Sequence, residues 1–126
     1  MIYKFYSVLT DKYTEGVDYS FEEGVPKRYE NMTWLSGDEP TEEQFNTWID
    51  EYNAAEALRQ VRVIRDTLLK ETDWITIKAY DQQQPVPTDW ANYRQALRDM
   101  TQQHPQIDDN GALIESSITW PEKPLN

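Results

Sequence analysis

Cysteine does not occur in the 126 residues, so no disulfide framework, thiolate metal site or cysteine nucleophile can be built. That leaves the redox compartment open and is compatible with the cytosol. Histidine occurs once, at His104, too few for a histidine metal cluster or a recognisable Ser–His pairing. The four glycines stand apart at 16, 24, 37 and 111, which excludes a glycine-rich phosphate loop. No apolar run approaches the roughly 18 residues of a membrane span, and "MIYKFYSVLTDKY" lacks the apolar core of a signal peptide. The expectation is a soluble, unexported chain with no membrane partner, in which "NMT" at Asn31 matches a glycosylation pattern by chance.

What the chain has in excess is negative charge. The formal net charge is -11, and it is unevenly spread: residues 1–56 carry 13 acidic and 4 basic side chains, residues 57–126 carry 10 and 8. An acidic surface repels phosphate backbones, so nucleic acid is not an expected partner. Acids this abundant form close pairs by chance, and none stands in an evident apolar pocket that would raise its pKa. The "DDNG" stretch fails as a calcium loop, because placing Gly111 sixth puts Gln106 first and Ser117 last, where acids are required. Neither a metal, a cofactor nor a catalytic residue is expected. A small hydrolase using His104 alone as base is the residual enzymatic reading.

The pattern of elements is α+β. Residues 1–40 read as a strand-rich, acidic N-terminal part, a small antiparallel β hairpin or meander supplied by Tyr3, Phe5, Val8, Leu9, Val17, Tyr19, Phe21 and Val25. Residues 41–126 read as a helical hairpin. Thr41 and Gln44 form a capping-box pair, and Phe45, Trp48, Tyr52, Ala55, Leu58, Val61, Ile64 and Leu68 then recur every three or four residues. A helix of about 30 residues spans roughly 45 Å, so it either kinks near "NAAEA" or protrudes with a seam through which a second chain could pair; the ordinary alternative is an amphipathic helix packed within its own domain. Residues 72–88 read as a loop. Thr88 is placed to cap a second, antiparallel helix that stops before Pro105. A turn at Asn110–Gly111 and an extended, proline-stiffened tail, "SSITWPEKPLN", follow.

Trp90, Tyr93, Leu97 and Met100 form the apolar stripe of the second helix, with Arg94 and Arg98 one turn apart beside it. The simplest packing sets the stripes of the two helices face to face. Arginine forks at their edge can then bond carboxylates or the free carbonyls of a neighbouring helix end. The elements Arg65-Asp66-x-Leu68-Leu69, Thr72-Asp73-Trp74, Trp90-x-x-Tyr93-Arg94-Gln95-x-Leu97-Arg98-Asp99 and Ile118-x-Trp120-Pro121-x-x-Pro124, in that order, resemble the tail assembly chaperone domain of tailed bacteriophages over about residues 58–124. The resemblance implies a non-enzymatic protein that binds a phage tail, fibre or baseplate protein in the host cytoplasm and assists its folding or attachment. The alternative is a structural connector retained in the virion tail. It makes Arg65, Asp73, Trp74, Trp90, Tyr93, Arg94, Leu97, Arg98, Trp120 and Pro121 the motif and partner-binding residues. Five tryptophans, at 34, 48, 74, 90 and 120, exceed what a core of this size requires.

Overall fold

The computed structural model describes residues 2–125; Asn126, the last residue of the expected tail, lies outside them. The chain is mostly helical. Helix α1 (Phe5–Lys12) precedes two short strands, β1 (Tyr19–Ser20) and β2 (Thr33–Trp34), which pair antiparallel with Tyr19 opposite Trp34 and Ser20 opposite Thr33. Helix α2 (Glu42–Glu71), α3 (Asp73–Asp81) and α4 (Thr88–Arg98) follow, and a 3₁₀ turn carries α4 on to Gln102. The α+β class and the helical pair are as expected.

Residues 5–12 are a correction, since a strand was expected and a helix is found. "MIYKFYSVL" has apolar residues on both strand faces, and the same residues satisfy a helical period. Val8 and Leu9, fully buried, point into a core completed by Tyr19, Met32 and Phe45. The hairpin that remains is two residues long on each side, and Val17 lies exposed in a turn. Edge-to-face ring contacts bind this region to the start of α2, Phe5 on Phe45 at 4.9 Å and Tyr3 on Tyr52 at 5.2 Å, and within it Tyr13 meets Trp34 at 4.9 Å. Asn53 locks the chain start to α2 by accepting from the Tyr3 N–H (2.6 Å) and donating to the Tyr3 carbonyl (3.0 Å).

The capping box forms as read: the Gln44 N–H donates to Thr41 Oγ1 (3.1 Å) and the Thr41 N–H to Gln44 Oε1 (2.9 Å). Helix α2 then runs unbroken through "NAAEA". The bend comes at Thr72. Its N–H turns to the Leu69 carbonyl (3.1 Å) and its hydroxyl donates back to Leu68 (3.3 Å) and Leu69 (3.1 Å), which interrupts the helical ladder.

Residues 73–81 are the second correction, a helix where a loop was expected. Ile75 and Ala79 turn inward while Trp74, Ile77 and Tyr80 turn outward, so apolar residues surround the helix and no one-sided period is legible. It ends where Gln83 takes a left-handed conformation (φ 52) and Pro85 follows. Thr88 is also corrected: it is the first residue of α4 rather than its cap, and the capping position falls to Pro87 with no side-chain bond. The turn at Asn110–Gly111 is present, with Ile107 bridged to Leu113, and α2 holds it through Gln60, which donates to the Gly111 carbonyl (2.7 Å) and accepts from Leu113 N–H (3.1 Å). Among the described residues, no helix is long and apolar enough to cross a membrane.

Candidate partner-binding site

The centre of the site is a buried arginine. Arg94 projects from α4 onto the bend between α2 and α3. It donates to the Leu69 carbonyl (2.9 Å), to Thr72 Oγ1 (2.6 Å) and to Asp73 Oδ1 (2.8 Å). The bend leaves carbonyls short of helical donors, and a guanidinium with five N–H groups can serve a carbonyl, a hydroxyl and a carboxylate at once. Arg94 is 8% exposed, but Asp73 remains more than half exposed, so the ion pair itself is partly screened. The greater effect is geometric: three contacts from one side chain set the direction in which α3 leaves α2.

Around this clamp lies an apolar cluster of Ile75, Trp90, Tyr93 and Leu97, with Leu68, Leu69, Val86 and Trp120 packed at its edge. Trp90 and Tyr93 meet edge to face at 5.9 Å. Burial, and after it the charge of Glu71, hold the Tyr93 phenol above its ordinary pKa. Trp120 also touches a neighbouring cluster of Val61, Met100 and Ile118, and so pins the C-terminal segment across both. Pro121, half-buried, continues that segment along an open groove beside Tyr93.

The motif residues therefore divide. Asp73, Trp90, Tyr93, Arg94, Leu97 and Trp120 come together as one packed unit with its polar clamp. Arg65 stands apart, its guanidinium turned to the neighbouring Asp66 at 2.9 Å, and Arg98 lies on the exposed side of α4. Of the five tryptophans, Trp34, Trp48, Trp90 and Trp120 are buried or half-buried in the cores, which corrects the expectation of a general surplus. Trp74 alone among them is mostly in water, at 55%, and it has company that the sequence reading missed: Ile77 at 60% and Tyr80 at 84%, each a turn further along α3. Those two lay in the segment read as loop, so nothing marked them as a helical face. A cleft of about 220 Å³ adjoins this face, lined by Trp74, Ile75, Lys78, Pro85, Pro87 and Trp90.

No group of three or more histidines or carboxylates poised to hold a metal occurs among the described residues, and His104 is exposed. The clamp and its cluster lie on the inner side of α3, whose outer side carries Trp74, Ile77 and Tyr80. The model of the phage tail assembly chaperone protein family matches residues 58–125, more than half of the chain, from the middle of α2 through the clamp, α4 and the C-terminal segment. No curated protein and no solved structure matches the chain. The matched span contains the Arg94 clamp, the Trp90–Tyr93–Leu97 cluster and the α3 face entire, and the chain belongs to the phage tail assembly chaperone family, whose role in tail assembly is non-enzymatic.

Proposed function

We propose that the protein takes hold of an apolar segment of a tail or fibre protein on the outer face of α3, in the host cytoplasm, and releases it once the tail part has assembled. Membership of the family implies binding of tail proteins; the choice of surface rests on the exposure of Trp74, Ile77 and Tyr80 side by side. Contiguous apolar surface on a monomer commonly marks an interaction site, and interface hot spots favour tryptophan and tyrosine. Such a face suits a holding protein, because assembling tail parts expose apolar surface that aggregates unless it is covered. The acidic N-terminal half, with 13 acids to 4 bases, keeps a complex of this kind in solution.

The test is co-expression with the tail protein encoded beside it. Wild-type chain is expected to raise the soluble yield of that partner severalfold, and Trp74→Ala with Tyr80→Ser to remove most of the gain, while the melting temperature of the chaperone itself stays within a few degrees because both side chains already face water. An undiminished gain in the double variant would move the site elsewhere. Mass spectrometry of purified particles separates the two roles: absence of this chain accords with transient holding, and stoichiometric retention would make it a connector in the virion.

A further inference from the structure

A local departure from the acidic surface lies at the N-terminal end of α2, the end remote from Trp74. Residues 1–56 carry 13 acids and only four bases, Lys4, Lys12, Lys27 and Arg28. Lys12 lies over the Trp48 ring at 4.5 Å, and the other three line a single open cleft of about 410 Å³. That volume falls within the roughly 300–1,000 Å³ of ligand clefts. The cleft has an aromatic floor: the Phe5 ring meets Phe45 at 4.9 Å and Tyr29 at 6.0 Å, and the Tyr29 hydroxyl is fixed by donating to the Pro40 carbonyl (2.9 Å).

The backbone that carries the three cations is pinned, and their charge is left largely unneutralised. Lys4 stands at the start of α1, where its N–H donates to Ser7 Oγ (2.8 Å) and its carbonyl accepts from the same hydroxyl (2.8 Å). The loop that bears Lys27 and Arg28 is tied to itself, the Arg28 N–H and Asn31 Nδ2 both donating to the Pro26 carbonyl (3.0 and 2.9 Å). Among the described residues, Arg28 reaches Glu30 only at 4.0 Å, with both side chains mostly exposed, and neither Lys4 nor Lys27 has a carboxylate within that distance. Three like charges gathered over an aromatic floor, in a half-chain rich in acids, are complementary to an anion that brings an apolar group with it. The rim decides which anion. Glu30 and Glu42 also line the cleft, and with the net charge of -11 they oppose a continuous run of phosphates. A peptide can set single carboxylates on the cations and neutral residues beside the two acids.

We propose that this cleft binds a short segment of the tail protein in which aspartate or glutamate alternates with aromatic residues, its carboxylates paired with Lys4, Lys27 and Arg28 and a ring laid on Phe5 and Tyr29. It is a second contact, separated from the α3 face by the length of α2, roughly 45 Å, and its residues lie outside the span that the family model matches. The proposal rests on the function above only in taking a tail protein as the partner; its probe is a synthetic peptide, so the two can fail separately. The full chain is titrated, by fluorescence anisotropy in about 0.1 M salt, where the Debye length is about 10 Å. The probes are a labelled peptide alternating aspartate with tyrosine, the same peptide with asparagine for aspartate, and single-stranded DNA of equal charge. Saturable binding of the aspartate peptide alone is expected, weakened at least ~10-fold by Lys27→Glu with Arg28→Glu. Lys70→Glu with Lys123→Glu makes the same change in net charge at positions that do not line the cleft, and should weaken it less than about twofold because distant charges are screened. Lys27 also lies over the Phe21 ring at 4.7 Å, so melting curves of the variants are compared with wild type; should the charge reversal unfold the chain, Lys4→Gln with Arg28→Gln carries the same test with an expected loss of several-fold. No binding of the aspartate peptide, equal binding of the asparagine peptide or of the DNA, or an equal loss in cleft and control variants would overturn the proposal.

Discussion

The two ends of α2 are built on different principles. At its N-terminal end the core is a cage of aromatic rings: half-buried Phe5, Tyr13, Tyr29 and Trp48 meet the ring of Phe45, around a centre of Val8, Leu9, Tyr19 and Phe45 that is wholly excluded from water. At the other end fewer and mainly aliphatic neighbours close over Trp90 and Tyr93, and a polar clamp sets the angle between the helices. Ring edges tolerate some sliding, whereas a guanidinium bound to three fixed oxygens does not. The family match covers the second end and stops short of the first. The part that the family model matches is thus the part that contains the polar clamp, and the aromatic cage lies mainly outside it.

The sharpest way to break this contrast is to cut between the regions. We propose that the chain from Thr41 onward folds without the first 40 residues, because the clamp and its cluster lie wholly within it. Such a fragment loses the cover of Phe45, Trp48 and Tyr52, so a cooperative melt is expected, many degrees below that of the full chain, with fraying of the first turns of α2. A fragment without a cooperative transition in circular dichroism would show that cage and clamp stand or fall together.

A smaller effect should follow from the clamp alone. Arg94→Met keeps the volume and removes the charged donor shared by the Leu69 carbonyl, the Thr72 hydroxyl and Asp73, while the bonds between Thr72 and the Leu68 and Leu69 carbonyls remain; this should cost about 1.5–3 kcal/mol in denaturant unfolding. Arg94→Lys should recover less than half of that loss, since a single ammonium cannot span a carbonyl, a hydroxyl and a carboxylate in one plane. A lysine variant as stable as wild type would show that charge, and not fork geometry, holds the bend.

The smallest effect concerns the middle of α2, where the regions meet. Arg59 donates to both Glu56 oxygens at 2.8 Å, and that bond, assisted by Gln60, holds the Glu56 carboxyl at about 2 against an ordinary 4.5. A carboxyl depressed on folding adds stability that is full above its unfolded value and is lost as pH falls from about 4.5 through about 2. Because Arg59 is largely exposed, solvent screening keeps the contribution small. Glu56→Gln is expected to flatten the fall in melting temperature between those two pH values and to change little at pH 7. A slope identical to that of wild type would remove the pair from the account of acid sensitivity.

How much of this was legible beforehand depends on how local the signal was. Thr41 and Gln44, the stripe of α4 and the Asn110–Gly111 turn are written in residues close together in the chain, and each is found as read. An arginine reaching a neighbouring helix end was expected as well and is found, though its carbonyl acceptor is 25 residues away. Which arginine would do so was not legible: Arg65, Arg94 and Arg98 look alike in sequence, and only burial beside the bend separates them.

Sequence alone determined the long helix, its start, its antiparallel partner and the turn beyond, because caps, breakers and one-sided apolar periods act on the chain within a few residues. Tertiary structure decided the rest. Residues 5–12 have apolar side chains suited to a strand or a helix, and the helix prevails because it places Val8 and Leu9 on Phe45 and Tyr19, residues distant in the chain. Residues 73–81 carry apolar groups all round, and they become a helix with one face in water because Arg94, more than a dozen residues later, holds the bend at Thr72. Local chemistry sets where a helix can begin; only a contact between distant residues sets which of its faces is left outside.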